Sequence, residues 1–106
     1  MTDRIDITSE ERAIVLRILN DIVPDREMRA FGSRVTGKAK PFSDLDLAVM
    51  GDEPLPLETR AQLEEAFSES DLPWKVDVLD WAQVDEDFRE QIVETCAVLR
   101  KKKDEL

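Results

Sequence analysis

An α/β fold, with a small mixed β-sheet packed by helices, is predicted for this 106-residue chain. Two patterns predict it. Stretches with apolar residues three and four apart, the helical spacing, alternate with short runs of period two, the strand spacing. No repeat, linker or low-complexity segment interrupts that alternation, and the length suits one domain over residues 1–106.

The first seven residues are mostly polar and are expected to be loosely held. Thr8, with Glu11 three residues later, forms a capping box that starts a helix. Ile14, Val15, Ile18, Leu19 and Ile22 give that helix one apolar stripe, and Pro24 ends it. Glu27 to Phe31 reads as a short strand, broken by Gly32-Ser33. Ser33 to Thr36 forms a helical turn or two, with Gly37 as its stop. Asp44 to Met50 is the clearest strand. Leu45, Leu47 and Val49 share its core face, and Asp44, Asp46 and Ala48 share the other.

A turn at Gly51–Pro54 leads to a second long helix over 57–69, with Leu57, Ala61, Leu63, Ala66 and Phe67 as a weak stripe. Trp74 to Trp81 is a third strand. Val76, Val78 and Asp80 lie on one face and Lys75, Asp77 and Leu79 on the other. A last helix over 85–101 turns Phe88, Ile92, Cys96 and Leu99 inward, and the basic run Arg100–Lys103 suits the negative end of its dipole. The predicted order is helix, strand, short helix, strand, helix, strand, helix.

Composition excludes several function classes. Fifteen basic against twenty-five acidic residues give a net charge of −10, which argues against direct binding of a nucleic-acid backbone. Without histidine, Ser-His-Asp and Cys-His catalysis and His-ligated zinc are excluded. A lone Cys96 cannot form an intramolecular disulfide, which suits a reducing cytoplasm. No signal peptide is visible, and no apolar run approaches the roughly 20 residues that span a bilayer.

The chemistry concentrates between Phe31 and Leu47. A Gly32-Ser33 turn offers backbone N–H groups and a hydroxyl to phosphate oxygens. Two aspartates two apart on a strand, Asp44 and Asp46, point to one side and together suit a hard cation such as Mg²⁺. A nucleoside triphosphate is the ligand that would join the two elements.

Two metal ions roughly 3.5–4 Å apart can stabilise both oxygens of an in-line displacement at phosphorus. That arrangement takes a third carboxylate, and Asp77 is the best candidate, as metal ligand or as acceptor of the attacking hydroxyl's proton. Asp80 is its rival but falls on the opposite strand face. Arg34, Lys38 and Lys40 are candidate phosphate contacts or plain solvated loop charges. Taken singly, each signal has an ordinary explanation: Asp-x-Asp is common, Gly-Ser is usually a turn, and Trp74, Trp81 and Cys96 read as core or interface residues.

The ordered combination resembles the minimal nucleotidyltransferases of the DNA polymerase β-like superfamily. In that family Gly-Ser is followed, after ten residues, by Asp-x-Asp and then by a third aspartate on a later strand. Here residues 34–43 separate Gly32-Ser33 from Asp44-Leu45-Asp46, and Val76-Asp77-Val78 follows. Trp74 to Trp81 and Glu86-Asp87-Phe88-Arg89 look like the nucleotide-binding subunits of two-protein nucleotidyltransferases, which pair with an all-helical HEPN or substrate-binding protein.

The resemblance implies that Asp44, Asp46 and Asp77 bind Mg²⁺, two ions in the active complex, and that Gly32, Ser33 and Arg34 bind the nucleotide, ATP or another triphosphate. It implies an antitoxin that transfers AMP to a tyrosine of its HEPN partner. Two other readings remain: a nucleotide-binding subunit that neutralises its partner by contact, and the catalytic half of an antibiotic-modifying transferase. A chain this short has little left to build an acceptor pocket. The acceptor is therefore expected to be a protein surface or to be presented by a partner chain, in a hetero-oligomer or beside a homodimer.

Overall fold

The computed structural model describes residues 5–102. Its elements are α1 (Ser9–Ile22), β1 (Met28–Phe31), α2 (Ser33–Thr36), β2 (Leu45–Val49), α3 (Leu57–Ser68), β3 (Val76–Asp80), a 3₁₀ turn (Trp81–Gln83), α4 (Glu86–Thr95) and β4 (Ala97–Arg100). The four strands form one mixed sheet in the order β3-β2-β1-β4. β1 is antiparallel to both β2 and β4, and β2 and β3 are parallel. α3 makes the crossover that a parallel pair requires. No helix among the described residues is long and apolar enough to cross a membrane.

Local sequence explains most of these elements. The Glu11 N–H donates to Thr8 Oγ1 at 3.0 Å and the Thr8 N–H to Glu11 Oε1 at 2.9 Å, closing the expected capping box of α1. The core lies on one side of the sheet. Val15 and Leu19 of α1 and Leu63 and Phe67 of α3 pack there with Met28, Ala30, Leu45, Leu47, Val49, Val78, Ala97 and Leu99 of the strands. The core-facing residues of the strands thus alternate, as their period-two pattern requires, and Ala48 is buried on the other face of β2 as well. α3 buries Leu63 and Phe67, while Leu57 is 85% exposed and Ala61 also faces water, so its stripe is narrower than expected.

The sequence reading is overturned most clearly at the end of the chain. α4 stops at Thr95, and residues 97–100 form β4, not the last turn of a helix. Ile92, Cys96 and Leu99 do have helical spacing, but Ala97 and Leu99 also alternate and are buried by strand pairing. The open edge of β1 supplies the hydrogen-bond partners that decide the matter, a non-local gain that outweighs a weak local preference. Phe88 is 40% exposed; its ring meets Phe31 edge-on, with centroids 6.3 Å apart. Lys101 and Lys102 follow a strand, and Lys103 lies outside the described residues.

The start of the chain is also tighter than expected. Residues 1–4 lie outside the description, but Ile5 is buried and the Asp6 N–H donates to Arg34 O at 2.7 Å. The third strand is shorter than Trp74–Trp81: Trp74 precedes it as a buried core residue and Trp81 begins the 3₁₀ turn.

Candidate active site

The face of the sheet opposite the core carries the acidic residues. Antiparallel pairing sets Phe31 opposite Asp46, and parallel pairing sets Asp46 beside Asp77. Side chains of paired residues share a face, so Phe31, Asp46 and Asp77 form one row across three strands. Asp44 precedes β2 by one residue and is exposed, as is Asp77; Asp46 is half-buried.

The Gly-Ser turn abuts that row. Gly32 has φ +82°, a region that L side chains rarely adopt, and a Cβ there would stand 2.3 Å from Asp46 Oδ2. Glycine is therefore required twice over, by the turn and by the approach of the carboxylate. The Val35 and Thr36 N–H groups donate to Gly32 O, closing α2. The first turn leaves the N–H groups of Ser33 and Arg34 without intrahelical acceptors. Ser33 is half-buried, in the turn that touches Asp46.

Crowding raises the Asp46 carboxyl to about 6: burial is the larger cause, and the charges of Asp77 and then Asp44 add to it. Among the described residues no cation stands in ion-pair contact with these carboxylates. The ion pairs among the described residues are Arg29–Glu27 at 2.6 Å and Arg60–Glu64 at 3.2 Å, neither of which involves these aspartates. Three hard oxygen donors with no counter-charge paired to them among the described residues suit a divalent cation such as Mg²⁺. The side chains are not already gathered around one point: no ready-made three-ligand metal cluster stands among the described residues. Side-chain rotation would be needed to close them on an ion.

Arg34 is not where a phosphate ligand would be. It is only 6% exposed and lies under the loop, with Nε donating to Ser43 O at 2.9 Å and Nη1 to Asp6 O at 2.8 Å. Nη2 donates to Lys40 O at 3.3 Å and to Pro41 O at 3.1 Å, and the guanidinium lies 4.6 Å from the Trp74 ring centre. Burial of a guanidinium is tolerated because carbonyls satisfy it, and those bonds leave it little capacity for a ligand. Lys38 and Lys40 are exposed loop residues.

Asp80 is a turn-former. It is buried, with Oδ2 accepting from the Leu55 N–H at 2.8 Å and Oδ1 from the Ala82 N–H at 3.3 Å. Sequence reasoning passed over Phe42, which is 77% exposed beside a cleft of about 700 Å³ that also touches Asp44, Trp74 and Lys75. Its one sequence signal is a large aromatic inside a polar loop.

The chain belongs to the polymerase β nucleotidyltransferase family, whose domain model matches residues 26–105. It is 59% identical over 99 residues to the probable protein adenylyltransferase MntA of Haemophilus influenzae, covering 93% of this chain and 87% of that protein. Among solved structures it is similar to a toxin–antitoxin complex with AMP-PNP, with a TM-score of 0.71 and 25% identity over 85% of this chain and 73% of that one. Its fold is also that found in a complex of tri-AMPylated Shewanella oneidensis HEPN toxin with MNT antitoxin. There the TM-score is 0.67 at 23% identity, over 90% of this chain and 73% of that one.

Proposed function

We propose that this chain is the antitoxin of a two-protein pair and transfers AMP from ATP to a hydroxyl of a helical HEPN partner. The observation that supports this most is the row of Asp46 and Asp77 on neighbouring strands, flush against the Gly32 turn. The 59% identity to a protein named as an adenylyltransferase supports the same reading.

In this reading the acceptor hydroxyl attacks the α-phosphorus of ATP, a new P–O bond forms, and the bond to the bridging oxygen breaks to release pyrophosphate. Asp77, at the exposed end of the row, accepts the proton of the attacking hydroxyl. Asp44, Asp46 and Asp77 are the residues that would hold Mg²⁺, which when bound supplies charge neutralisation to the phosphates. The Ser33 hydroxyl and the N–H groups of the turn hold the β- and γ-phosphates, and Gly32 lets them lie close to Asp46.

The test is incubation of the chain and its helical partner with ATP radiolabelled at the α-phosphate. Label should appear on the partner, and the double variant Asp44→Asn, Asp46→Asn should abolish it. Unchanged labelling by that variant would rule out the carboxylates. Neutralisation of the partner that survives in the variant would favour inhibition by contact.

A further inference from the structure

The loop that joins the Gly-Ser turn to the aspartate strand is built around one buried cation. Arg34 directly follows Ser33, and its guanidinium is hydrogen-bonded to the carbonyls of Lys40, Pro41 and Ser43, the last immediately before Asp44. It also holds the Asp6 carbonyl, and the Asp6 N–H returns a bond to Arg34 O, pinning the segment before α1 to α2. On its flat side it packs over Trp74, three residues before Asp77 and itself 7% exposed. One side chain therefore ties together the three segments that carry Ser33, Asp44 and Asp77. Among the described residues no carboxylate pairs with it; its partners there are carbonyl dipoles and an aromatic face.

A fork of donors in fixed geometry holds several carbonyls at set distances, which a lysine's single ammonium cannot reproduce. We infer that Arg34, held flat by Trp74, is a positioning residue for nucleotidyl transfer. It sets the spacing between the Gly-Ser turn, Asp44 and Asp77 and does not touch the nucleotide. This rests on the proposed function for its catalytic consequence, but the spacing it sets can be read without catalysis. Displacement of a reacting group by an ångström can cost about a hundredfold in rate, so a small shift of one segment suffices.

The variants are Arg34→Lys, Trp74→Phe and Trp74→Leu, each assayed below its own melting temperature with far-UV circular dichroism to confirm folding. Two quantities are measured: the kcat and KM for ATP in labelling of the partner, and the Mn²⁺ concentration that half-saturates the thermal shift of the isolated chain. Arg34→Lys is expected to lower kcat about thirtyfold or more with KM for ATP changed less than about threefold, and to raise the Mn²⁺ midpoint severalfold. Trp74→Phe, which keeps a flat aromatic face, should stay near wild type, while Trp74→Leu should match Arg34→Lys. A purely volume-filling role would not rank phenylalanine and leucine in that way.

A folded Arg34→Lys with wild-type kcat and Mn²⁺ midpoint would overturn the inference. So would a loss confined to KM for ATP, which would make Arg34 a phosphate ligand after all. If the wild type labels no partner, the proposed function fails and the positioning role is decided by the Mn²⁺ midpoints alone. A severalfold rise in Arg34→Lys and in Trp74→Leu supports it, and unchanged midpoints overturn it.

Discussion

Replacing Asp46 by asparagine should stabilise the metal-free protein while ending catalysis. The substitution keeps the shape of the side chain and removes its charge. In the folded chain burial, Asp77 and Asp44 raise the Asp46 carboxyl from 3.8 to about 6. The native state therefore binds the proton more tightly than the unfolded chain does. Stability falls as pH rises from about 3.8 to about 6, and the whole penalty is present above that window.

A shift of that size corresponds to about 3 kcal/mol at about 1.4 kcal/mol per unit. Asp46 is half-exposed, however, and solvent screening reduces the figure to about 1 kcal/mol. For a domain of this length that amounts to a rise in Tm of about 5 °C. The assay is thermal denaturation of wild type and Asp46→Asn in EDTA at pH 7.5 and pH 4.5. At the lower pH the gain should shrink to roughly a third, because the wild-type carboxyl is already largely protonated in the native state. The reasoning is refuted if the variant is no more stable than wild type at pH 7.5, or if its gain is equal at both pH values.

Three further outcomes follow from the geometry. Gly32→Ala should lose more than about 2 kcal/mol in urea denaturation and all labelling, since its Cβ would stand 2.3 Å from Asp46 Oδ2. Gly37→Ala, also at positive φ but with nothing within 4 Å, should cost about 1 kcal/mol and keep its activity; equal behaviour of the two would contradict the tight turn. Asp80→Ala should cost about 2–4 kcal/mol by stranding the N–H groups of Leu55 and Ala82, whereas Asp77→Asn should leave denaturation nearly unchanged and remove labelling. Leu99→Asp should cost more than about 3 kcal/mol by putting a charge into the core side of β4, and Val98→Asp far less; a helix through these positions would not show that alternation in urea midpoints.

Much of the local geometry around the candidate site was legible in the sequence. The capping box at Thr8 and Glu11, the alternation from Leu45 to Val49 and the glycine at position 32 are short-range signals. They act through a turn of helix, a pleat or one residue's φ, and a window of a few residues contains everything needed to read them. The separation of Asp77 from Asp80 by strand faces was legible for the same reason. Arg34 misled because a basic residue after Gly-Ser looks like a phosphate ligand, and its carbonyl partners at Asp6, Lys40, Pro41 and Ser43 carry no signature in side-chain identity.

Residues 97–100 misled because Ile92, Cys96 and Leu99 satisfy a helical spacing while Ala97 and Leu99 satisfy a strand's. The strand wins through hydrogen bonds with β1, nearly seventy residues earlier in the chain. The composition and order of residues thus specify the individual helices, strands and turns, and the acidic residue types a hard cation would need. Strand pairing alone specifies that β3 lies parallel to β2 with Asp77 level with Asp46, because a sheet's register comes from contacts between segments far apart in the chain.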